Sequence, residues 1–236
     1  MEGSGFVTLT RQVGLMREMQ VVANNIANSA TTGFRREGVV FTEFVQASAN
    51  APSLSIARAG ARLVDLSEGG LSRTGGSFDF AIRGEGFFLV DTDRGQRLTR
   101  AGSFTPGPEG ALLTAEGHTL LDAGGSPVTI PPGSSNVLLG PDGTLSSDGT
   151  VFAQLGLWSP SDPLALRHEG GTLFDGGELV PVTGSRLIQG SLEDSNVDPV
   201  SEIARMIEVQ RAYELGQGFL DREDERLRGM VRTLGG

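Results

Sequence analysis

The residues that could carry acid–base or metal chemistry are few and stand apart in the sequence. His118 and His168 are the only histidines, and each lies beside a glycine-containing turn segment. An imidazole that acts as a general base or a metal ligand needs a second functional group within hydrogen-bonding reach. The two histidines lie 50 residues apart in the sequence, so we predict that both are solvated surface residues.

Other patterns with catalytic or metal-binding potential are incomplete. The acidic run at 221–225 would point its carboxylates in different directions on a helix, which predicts a solvated face. The Asp142-Gly143 and Asp148-Gly149 pairs lack the spacing of an EF-hand calcium loop. The sequence contains no phosphate-binding Gly-Lys-Ser/Thr motif, no nucleophile-elbow serine and no cysteine. We therefore predict no enzyme activity, no metal, no cofactor and no small-molecule substrate.

Composition excludes further classes of function. The net charge of −10 argues against nucleic acid, because binding to phosphates requires clusters of basic residues. No stretch of about 18 apolar residues occurs, so we expect no membrane insertion. The first residues show no basic segment followed by an apolar run, so we expect either a cytoplasmic protein or export without a cleaved signal peptide.

The sequence predicts a helix at the N-terminus. Apolar and small residues recur there in alternating steps of three and four, a period of about 3.5 that is typical of a helix packed along another helix. The pattern stops in a segment rich in Asn, Ser and Gly, so we expect the helix to end near Asn28. The positions of this predicted seam are Phe6, Leu9, Val13, Met16, Gln20, Ala23 and Ala27.

The same period returns at the C-terminus over a longer segment. Asp198 followed by Pro199 predicts an N-cap and a first helical residue, and the helix should continue to about Thr233. Gly216 and Gly218 should each cost about 1 kcal/mol relative to Ala. The predicted seam consists of Ile203, Met206, Gln210, Tyr213, Gln217, Leu220, Asp224, Leu227, Val231 and Leu234.

Between the helices the pattern has period two. Phe78, Phe80 and Ile82 alternate with smaller or polar residues, and Asp-Gly turn signals follow one another closely. Short strands separated by frequent turns indicate an antiparallel sandwich or irregular barrel. We therefore predict an α+β fold in which N- and C-terminal helices pair as an antiparallel coiled coil, with a mainly antiparallel β-rich middle domain.

Two explanations of the separated helices are open on periodicity alone. Helices with narrow apolar seams are marginal by themselves, so they could become stable when neighbouring chains bury their remaining faces, which points to polymerisation. Alternatively, both helices simply pack on the β domain within a monomer. We predict domain boundaries at 1–34 for the N-terminal helix, 35–75 for an extended connector, 76–190 for the β-rich domain and 191–236 for the C-terminal helix.

Motifs at both ends resemble one known family. Residues 22–28 (VANNIAN) with 31–35 (TTGFR) resemble the N-terminal signature of bacterial flagellar rod and hook proteins. Residues 192–197 (LEDSNV) with 202–214 (EIARMIEVQRAYE) resemble the C-terminal signature, and 79–88 (DFAIRGEGFF) looks like the start of the family's β domain. Two long motifs in the expected order are more specific than one short pattern.

The resemblance implies a structural subunit of the axial rod that crosses the periplasm. Its partners would be other rod subunits, copies of itself and the flagellar type III export apparatus, and its terminal helices would form the inner domain. The modest length resembles proximal rod proteins more than the hook protein, with distal rod proteins as an alternative. Where many relatives carry an Asn-Ser-Lys-like segment, this sequence has Gly216-Gln217-Gly218. The alternative function is a stand-alone secreted β-rich adhesin or binding module.

The predicted assembly interface follows from the seams and from this resemblance. The asparagines could form polar contacts between packed subunits or merely end the helix. Phe34 could anchor a neighbouring subunit or pack on the β domain of its own chain, and a buried Gln210 could fix helix register. The predicted interface residues are Leu9, Val13, Met16, Asn24, Asn25, Asn28, Phe34, Ile203, Met206, Gln210, Tyr213, Leu220 and Leu227.

Overall fold

The computed structural model describes residues 2–48, 51–134 and 136–234. Helix α1 (Glu2–Ala27) and helix α2 (Pro199–Leu234) lie at the two ends of the sequence, and the intervening described residues form strands, turns and a short 3₁₀ helix (Pro163–Ala165). The chain is an α+β protein with a mainly antiparallel β middle. The predicted ends of both helices are confirmed to within one residue.

Eighteen strands are described between the helices. The longest two, β1 and β2, fall within the predicted connector and pair with each other in a two-stranded sheet. The strands are β1 (Glu37–Ser48), β2 (Ala51–Val64), β3 (Leu71–Arg73), β4 (Phe80–Arg83), β5 (Phe88–Thr92), β6 (Gly95–Thr99), β7 (Thr105–Pro106), β8 (Leu112–Leu113), β9 (Thr119–Leu120), β10 (Val137–Leu139), β11 (Thr144–Ser147), β12 (Thr150–Gln154), β13 (Trp158–Pro160), β14 (Arg167–Gly170), β15 (Leu173–Asp175), β16 (Leu179–Pro181), β17 (Arg186–Gln189) and β18 (Ser191–Glu193).

The chain divides into two compact units. The helical unit comprises residues 1–27, 37–63 and 198–236, and the β unit comprises residues 28–36 and 64–197. The helical unit therefore takes its two helices from opposite ends of the sequence, and β1 with nearly all of β2 belongs to it. The β unit contains strands β3 to β18.

The β unit is built from small antiparallel sheets. Its largest sheet has seven strands in the order β14-β15-β6-β5-β9-β8-β7, and β10, β11 and β12 form a three-stranded sheet. Every described pairing among β3–β18 is antiparallel. Its larger buried cluster is formed by Phe80, Ile82, Phe88, Val90, Phe104, Leu112, Leu120, Val128, Val137, Leu145, Leu155, Leu157 and Leu187.

Turn chemistry read from the sequence matches the β unit. The pair Asp148-Gly149 connects β11 to β12 with positive φ angles of 50° and 83°. Two consecutive left-handed residues make the turn whose twist matches antiparallel strands, and Asp followed by Gly adopts it at low cost. Strand β4 differs from its predicted alternation, because Phe80, Ala81 and Ile82 are all buried. This strand is covered on both faces, so one face does not remain polar.

The residues that α1 and α2 present to each other differ from the predicted seams. Bonds between the helices join Gln12 to Tyr213, Glu18 to Arg205 and Asn25 to Glu202, so the partners occur in reverse order along the two helices. The predicted α1 positions at 9, 13, 16, 20, 23 and 27 are all exposed, whereas the buried face includes 12, 18, 22 and 25. The helix has the predicted period near 3.5, but its buried face is rotated by about one residue from the predicted seam.

The predicted seam of α2 is correct at alternate positions. Met206, Tyr213 and Leu220 are half-buried, whereas Ile203, Gln210, Gln217, Asp224 and Val231 are exposed. The buried or half-buried series instead runs through positions 202, 206, 209, 213, 216, 220 and 223. Of the polar residues at these positions, Glu202 accepts a hydrogen bond from Asn25 of α1. The side chains of Phe6, Leu227 and Leu234 lie outside the described residues.

Neither α1 nor α2, over its described residues, combines the length and the apolarity that a membrane span requires.

Candidate functional site

Helix α1 carries a stripe of exposed apolar side chains. Leu9, Val13 and Met16 are 56%, 49% and 47% exposed, and they follow one another in steps of four and three. That spacing places them on one face of the helix. The predicted seam is therefore a real stripe, but α2 of the same chain does not cover it.

Helix α2 also exposes apolar residues near its beginning. Val200, Ile203 and Ile207 project into solvent at spacings of three and four. Further along, Leu215 and Phe219 are exposed as well. Contiguous exposed apolar side chains on two adjacent helices are typical of a protein–protein contact surface.

Asn25 fixes the end of α1 within its own chain. Its amide nitrogen donates to the carbonyl oxygen of Glu37 at 2.9 Å and to Glu202 Oε2 at 3.2 Å, and its amide oxygen accepts from the Glu37 backbone nitrogen at 3.0 Å. The side chain is completely buried. A buried amide with all of these partners stabilises one arrangement of α1, β1 and α2. Asn25 therefore has an internal role in the structure.

Two further bonds connect α1 to α2. Arg205 Nε donates to Glu18 Oε1 at 2.7 Å, and this bond raises the pKa of Arg205. The Gln12 amide nitrogen donates to the Tyr213 carbonyl oxygen at 2.9 Å. A polar pairing face orients the two helices while leaving their apolar stripes available on other faces.

The β unit contains a buried carboxylate with two arginines. Glu193 Oε1 lies 2.8 Å from Arg35 Nη2, and Glu193 Oε2 accepts from Arg100 Nη1 at 2.9 Å. The Gly69 backbone nitrogen donates to the same carboxylate at 3.0 Å, and the Gly33 nitrogen donates to the Glu193 carbonyl oxygen at 2.7 Å. We name Arg35, Arg100 and Glu193 the buried ion triad.

The triad is charge-rich for a protein interior. All three side chains are at most 3% exposed. Burial lowers the pKa of both Arg35 and Arg100, and the Glu193 carboxylate opposes that effect. Carbonyl oxygens satisfy further guanidinium protons, since Arg100 Nη2 donates to Gly84 and Arg35 Nη1 donates to Ser67. The triad ties three distant parts of the β unit to one carboxylate.

The structure places Phe34 inside the β unit. It is completely buried, and its ring contacts the His168 ring edge-on at 5.3 Å. This matches the alternative in which Phe34 packs on the β domain of its own chain. His168 also meets the Phe174 ring at 5.0 Å and is half-buried, and His118 is half-buried too. Both histidines are therefore partly exposed, and aromatic neighbours cover part of the His168 ring.

The remaining predicted interface residues fall into different environments. Asn28 closes α1, because its carbonyl and side-chain oxygens accept from Thr31 at 3.0 and 3.2 Å. Asn24 is half-buried and forms a polar interaction with another residue of the chain. Among the described residues, no group of three His, Asp or Glu side chains is arranged to hold a metal ion.

Sequence reasoning missed the buried ion triad and the Glu18–Arg205 pair as structural determinants. Arg35 and Glu193 both lie within the quoted family-like motifs, at the end of TTGFR and in LEDSNV. The presence of charged residues inside these motifs was the signal that could have pointed to a structural role for Arg35 and Glu193. Their mutual contact could not be read from one sequence, because 157 positions separate them.

Comparison with protein-family models gives three matches. The family described as "Flagella basal body rod protein" matches residues 15–35. "Flagellar hook protein FlgE/F/G D1 domain" matches residues 81–147, and "Flagellar basal body rod FlgEFG protein C-terminal" matches residues 188–232. The matches thus include both helical ends and the β unit.

Full-length relatives agree with these matches. A flagellar basal-body rod protein FlgF from Caulobacter vibrioides is 39% identical over 100% of this chain and 99% of the relative. The FlgF protein of Mesorhizobium japonicum is 35% identical over the same shares. A rod protein FlgG from Buchnera aphidicola subsp. Schizaphis graminum is 33% identical over 89% of this chain and 91% of the relative.

The matches show that the chain is one of the structural, non-enzymatic proteins of the bacterial flagellum. Within this class, the chain belongs to the flagellar basal-body rod protein family and is a structural subunit of the basal-body rod. The resemblance noted in the sequence motifs is confirmed.

Proposed function

We propose that this protein is a proximal rod subunit that polymerises through its terminal helices and transmits torque across the periplasm. Its partners are other rod subunits and further copies of itself. The helices pair as an antiparallel coiled coil and form the inner domain of the rod. The flagellar type III apparatus exports the chain without a cleaved signal peptide. The FlgF names of the two relatives that cover the whole chain support the proximal position.

The observation that carries the proposal is the apolar stripe Leu9–Val13–Met16 on α1. It is exposed because α1 pairs with α2 through a different face, from which Gln12 and Glu18 form bonds to α2. Exposed apolar area of this kind is stabilised when a partner covers it, at about 25 cal/mol per Å². A subunit that must remain a monomer during export and then assemble would retain such a surface on its terminal helices.

Val13→Asp tests this proposal directly. The substitution places a charge in the centre of the stripe, where desolvation in an assembled rod would cost about 2 kcal/mol or more, equivalent to about a thirtyfold weaker contact. Since Val13 is half exposed in the single chain, its helix content should not change. We expect loss of the variant from isolated basal bodies and loss of swimming in cells that lack their own copy.

The β unit offers a matched control. Val151 in β12 is 61% exposed, so Val151→Asp makes the same chemical change on a comparably exposed valine. We expect normal incorporation of this variant. Normal incorporation of Val13→Asp in the same assay would disprove assembly through the α1 stripe.

A further inference from the structure

A groove lies between α1 and α2 within the helical unit. Its volume is about 350 Å³. One side is formed by α1, and on the α2 side the glycine at position 216 makes room for the Gln12 amide, which a Cβ atom there would overlap. The residues that matter in its lining are Arg11, Gln12, Leu15, Leu215, Gly216 and Phe219.

The groove contains a polar group that lacks a partner. Gln12 is 5% exposed and uses its amide nitrogen to bind the Tyr213 carbonyl oxygen, yet its Oε1 has no hydrogen bond among the described residues. A buried carbonyl oxygen without a donor is destabilising, and native proteins rarely leave one unsatisfied. The groove therefore fits an occupant that brings a hydrogen-bond donor and apolar atoms.

The rim of the groove adds a requirement for charge. Arg11 is exposed, and its guanidinium forms no ion pair or hydrogen bond with any described residue. An occupant with a carboxylate beside its donor would match both Arg11 and Gln12.

One exposed face of α2 carries the apolar side chains, the hydrogen-bond donor and the carboxylate that the groove requires. Ile203, Ile207, Gln210 and Glu214 recur at spacings of four, three and four, and all four are exposed. The side chains of Gln210 and Glu214 make no hydrogen bond or ion pair with described residues. We name these four residues the outer face of α2.

We infer that the groove of one molecule binds the outer face of α2 of a second copy. Ile207 occupies the apolar part of the groove, the Gln210 amide donates to Gln12 Oε1, and Glu214 pairs with Arg11. The inference rests on the proposed assembly through the terminal helices, and it specifies which surfaces meet and that the partner is the same protein.

The contact has a consequence for growth of the assembly. Groove and outer face are different surfaces, so a docked pair still offers one free groove and one free outer face. Such a heterologous contact adds subunits head to tail and does not close after two. Gln210, predicted from the sequence as a register-fixing residue, would fix register between molecules in this arrangement.

Charge reversal tests the contact with the full-length protein. In sedimentation velocity, Arg11→Glu alone and Glu214→Arg alone should each lower the self-association constant by about tenfold or more, because like charges then meet at the rim. The double variant Arg11→Glu/Glu214→Arg should recover the parent value. An equimolar mixture of the two single variants should recover head-to-tail association with alternating subunits, since the groove of each variant is then complementary to the outer face of the other.

Two glycines that lie close together on α2 provide a second test. A Cβ atom on residue 216 would overlap the Gln12 amide, whereas a Cβ on residue 218 meets nothing within 4 Å. Both changes to Ala raise the intrinsic helix propensity equally, but only Gly216→Ala displaces the Gln12 amide from its place beside α2. Gly216→Ala should lower self-association by about tenfold, and Gly218→Ala should leave it unchanged with the same helix content.

Several results would overturn the inference. They are failure of the double charge reversal to restore association, equal behaviour of Gly216→Ala and Gly218→Ala, or a parent protein that stays monomeric at about 1 mM. Any of them can occur while Val13→Asp still blocks incorporation into rods. The failure of self-docking is therefore distinguishable from failure of the proposed function.

Discussion

Glu193 binds two guanidinium groups in the interior of the β unit with one carboxylate. Carbonyl oxygens also accept hydrogen bonds from Arg35 and Arg100, and the Arg100 guanidinium carbon lies 5.4 Å from the centre of the Phe87 ring. Buried charges are tolerated only when such partners replace the lost water. The carboxylate therefore controls whether both arginines can remain buried.

At the residue scale, Glu193→Gln should strongly destabilise the β unit. The change removes the one carboxylate that bonds directly to both buried arginines, and removal of one partner of a buried ion pair costs about 3 to 5 kcal/mol. Urea denaturation followed by Trp158 fluorescence measures the effect, because Trp158 is the only tryptophan and lies in β13.

The appropriate control is a pair nearer the surface. Glu169 accepts from Arg97 Nε at 2.7 Å, and both side chains are partly exposed. Glu169→Gln should cost about 1 kcal/mol or less, as for other solvent-accessible pairs. Equal losses for the two substitutions would show that the buried ion triad does not depend on its carboxylate.

At the element scale, Asp198 determines where α2 begins. Its Oδ1 accepts from the Val200 nitrogen at 3.1 Å, and its Oδ2 accepts from Ser201 Oγ at 2.5 Å. The hydrogen bond from Ser201, followed by that from the Val200 backbone, lowers the pKa of Asp198 below its ordinary value of 3.8. Pro199 then supplies a first helical residue that needs no acceptor.

This cap predicts a specific acid sensitivity of α2. Because the pKa is lower in the folded state, the ionised cap stabilises the helix above pH 3.8, and this stabilisation disappears as the pH falls through the folded pKa. Asp198→Asn retains a capping oxygen that does not titrate. The melting temperature, followed by circular dichroism, should therefore fall more steeply below pH 3.8 in the parent than in Asp198→Asn. Parallel curves for the two proteins would contradict the role of the ionised cap.

At the scale of the whole molecule, the two units differ in how they exclude water. The β unit has two buried apolar clusters and the buried ion triad. In the helices of the helical unit, Val21, Val22 and Val209 are buried together with several polar residues, and apolar stripes on both helices are exposed. Local opening needs the least free energy where few apolar contacts are buried.

Limited trypsin digestion of the free monomer should therefore remove the helices before it cuts the β unit. All 19 basic residues are arginines, and several of them, including Arg11, Arg205 and Arg211, are exposed on the helices. Arg35 and Arg100 are buried and should resist cleavage. Mass spectrometry of the first fragments identifies the sites. Helices that resist trypsin as long as the β unit does would show that the free ends are already fully stable.

Several elements could be predicted from local sequence chemistry. The limits of α1 and α2 follow from capping residues and turn formers, and the β11–β12 turn follows from an Asp-Gly pair. These features depend on interactions between residues close together in the chain, which a sequence displays directly. The prediction of which face of α1 is buried was wrong, because Gln12, Glu18 and Asn25 are buried through partners far away in the sequence.

The sequence by itself determined the helix ends, the β-rich middle, the membership of the rod family through its end motifs, and the presence of an apolar stripe on each terminal helix. Only the tertiary structure decided which face of each helix is covered. Hydrogen bonds from Asn25 to Glu37 and Glu202, and from Arg205 to Glu18, make the polar face the buried one. The apolar stripe then remains exposed because distant polar partners, and not hydrophobicity alone, determine how the two helices rotate toward each other.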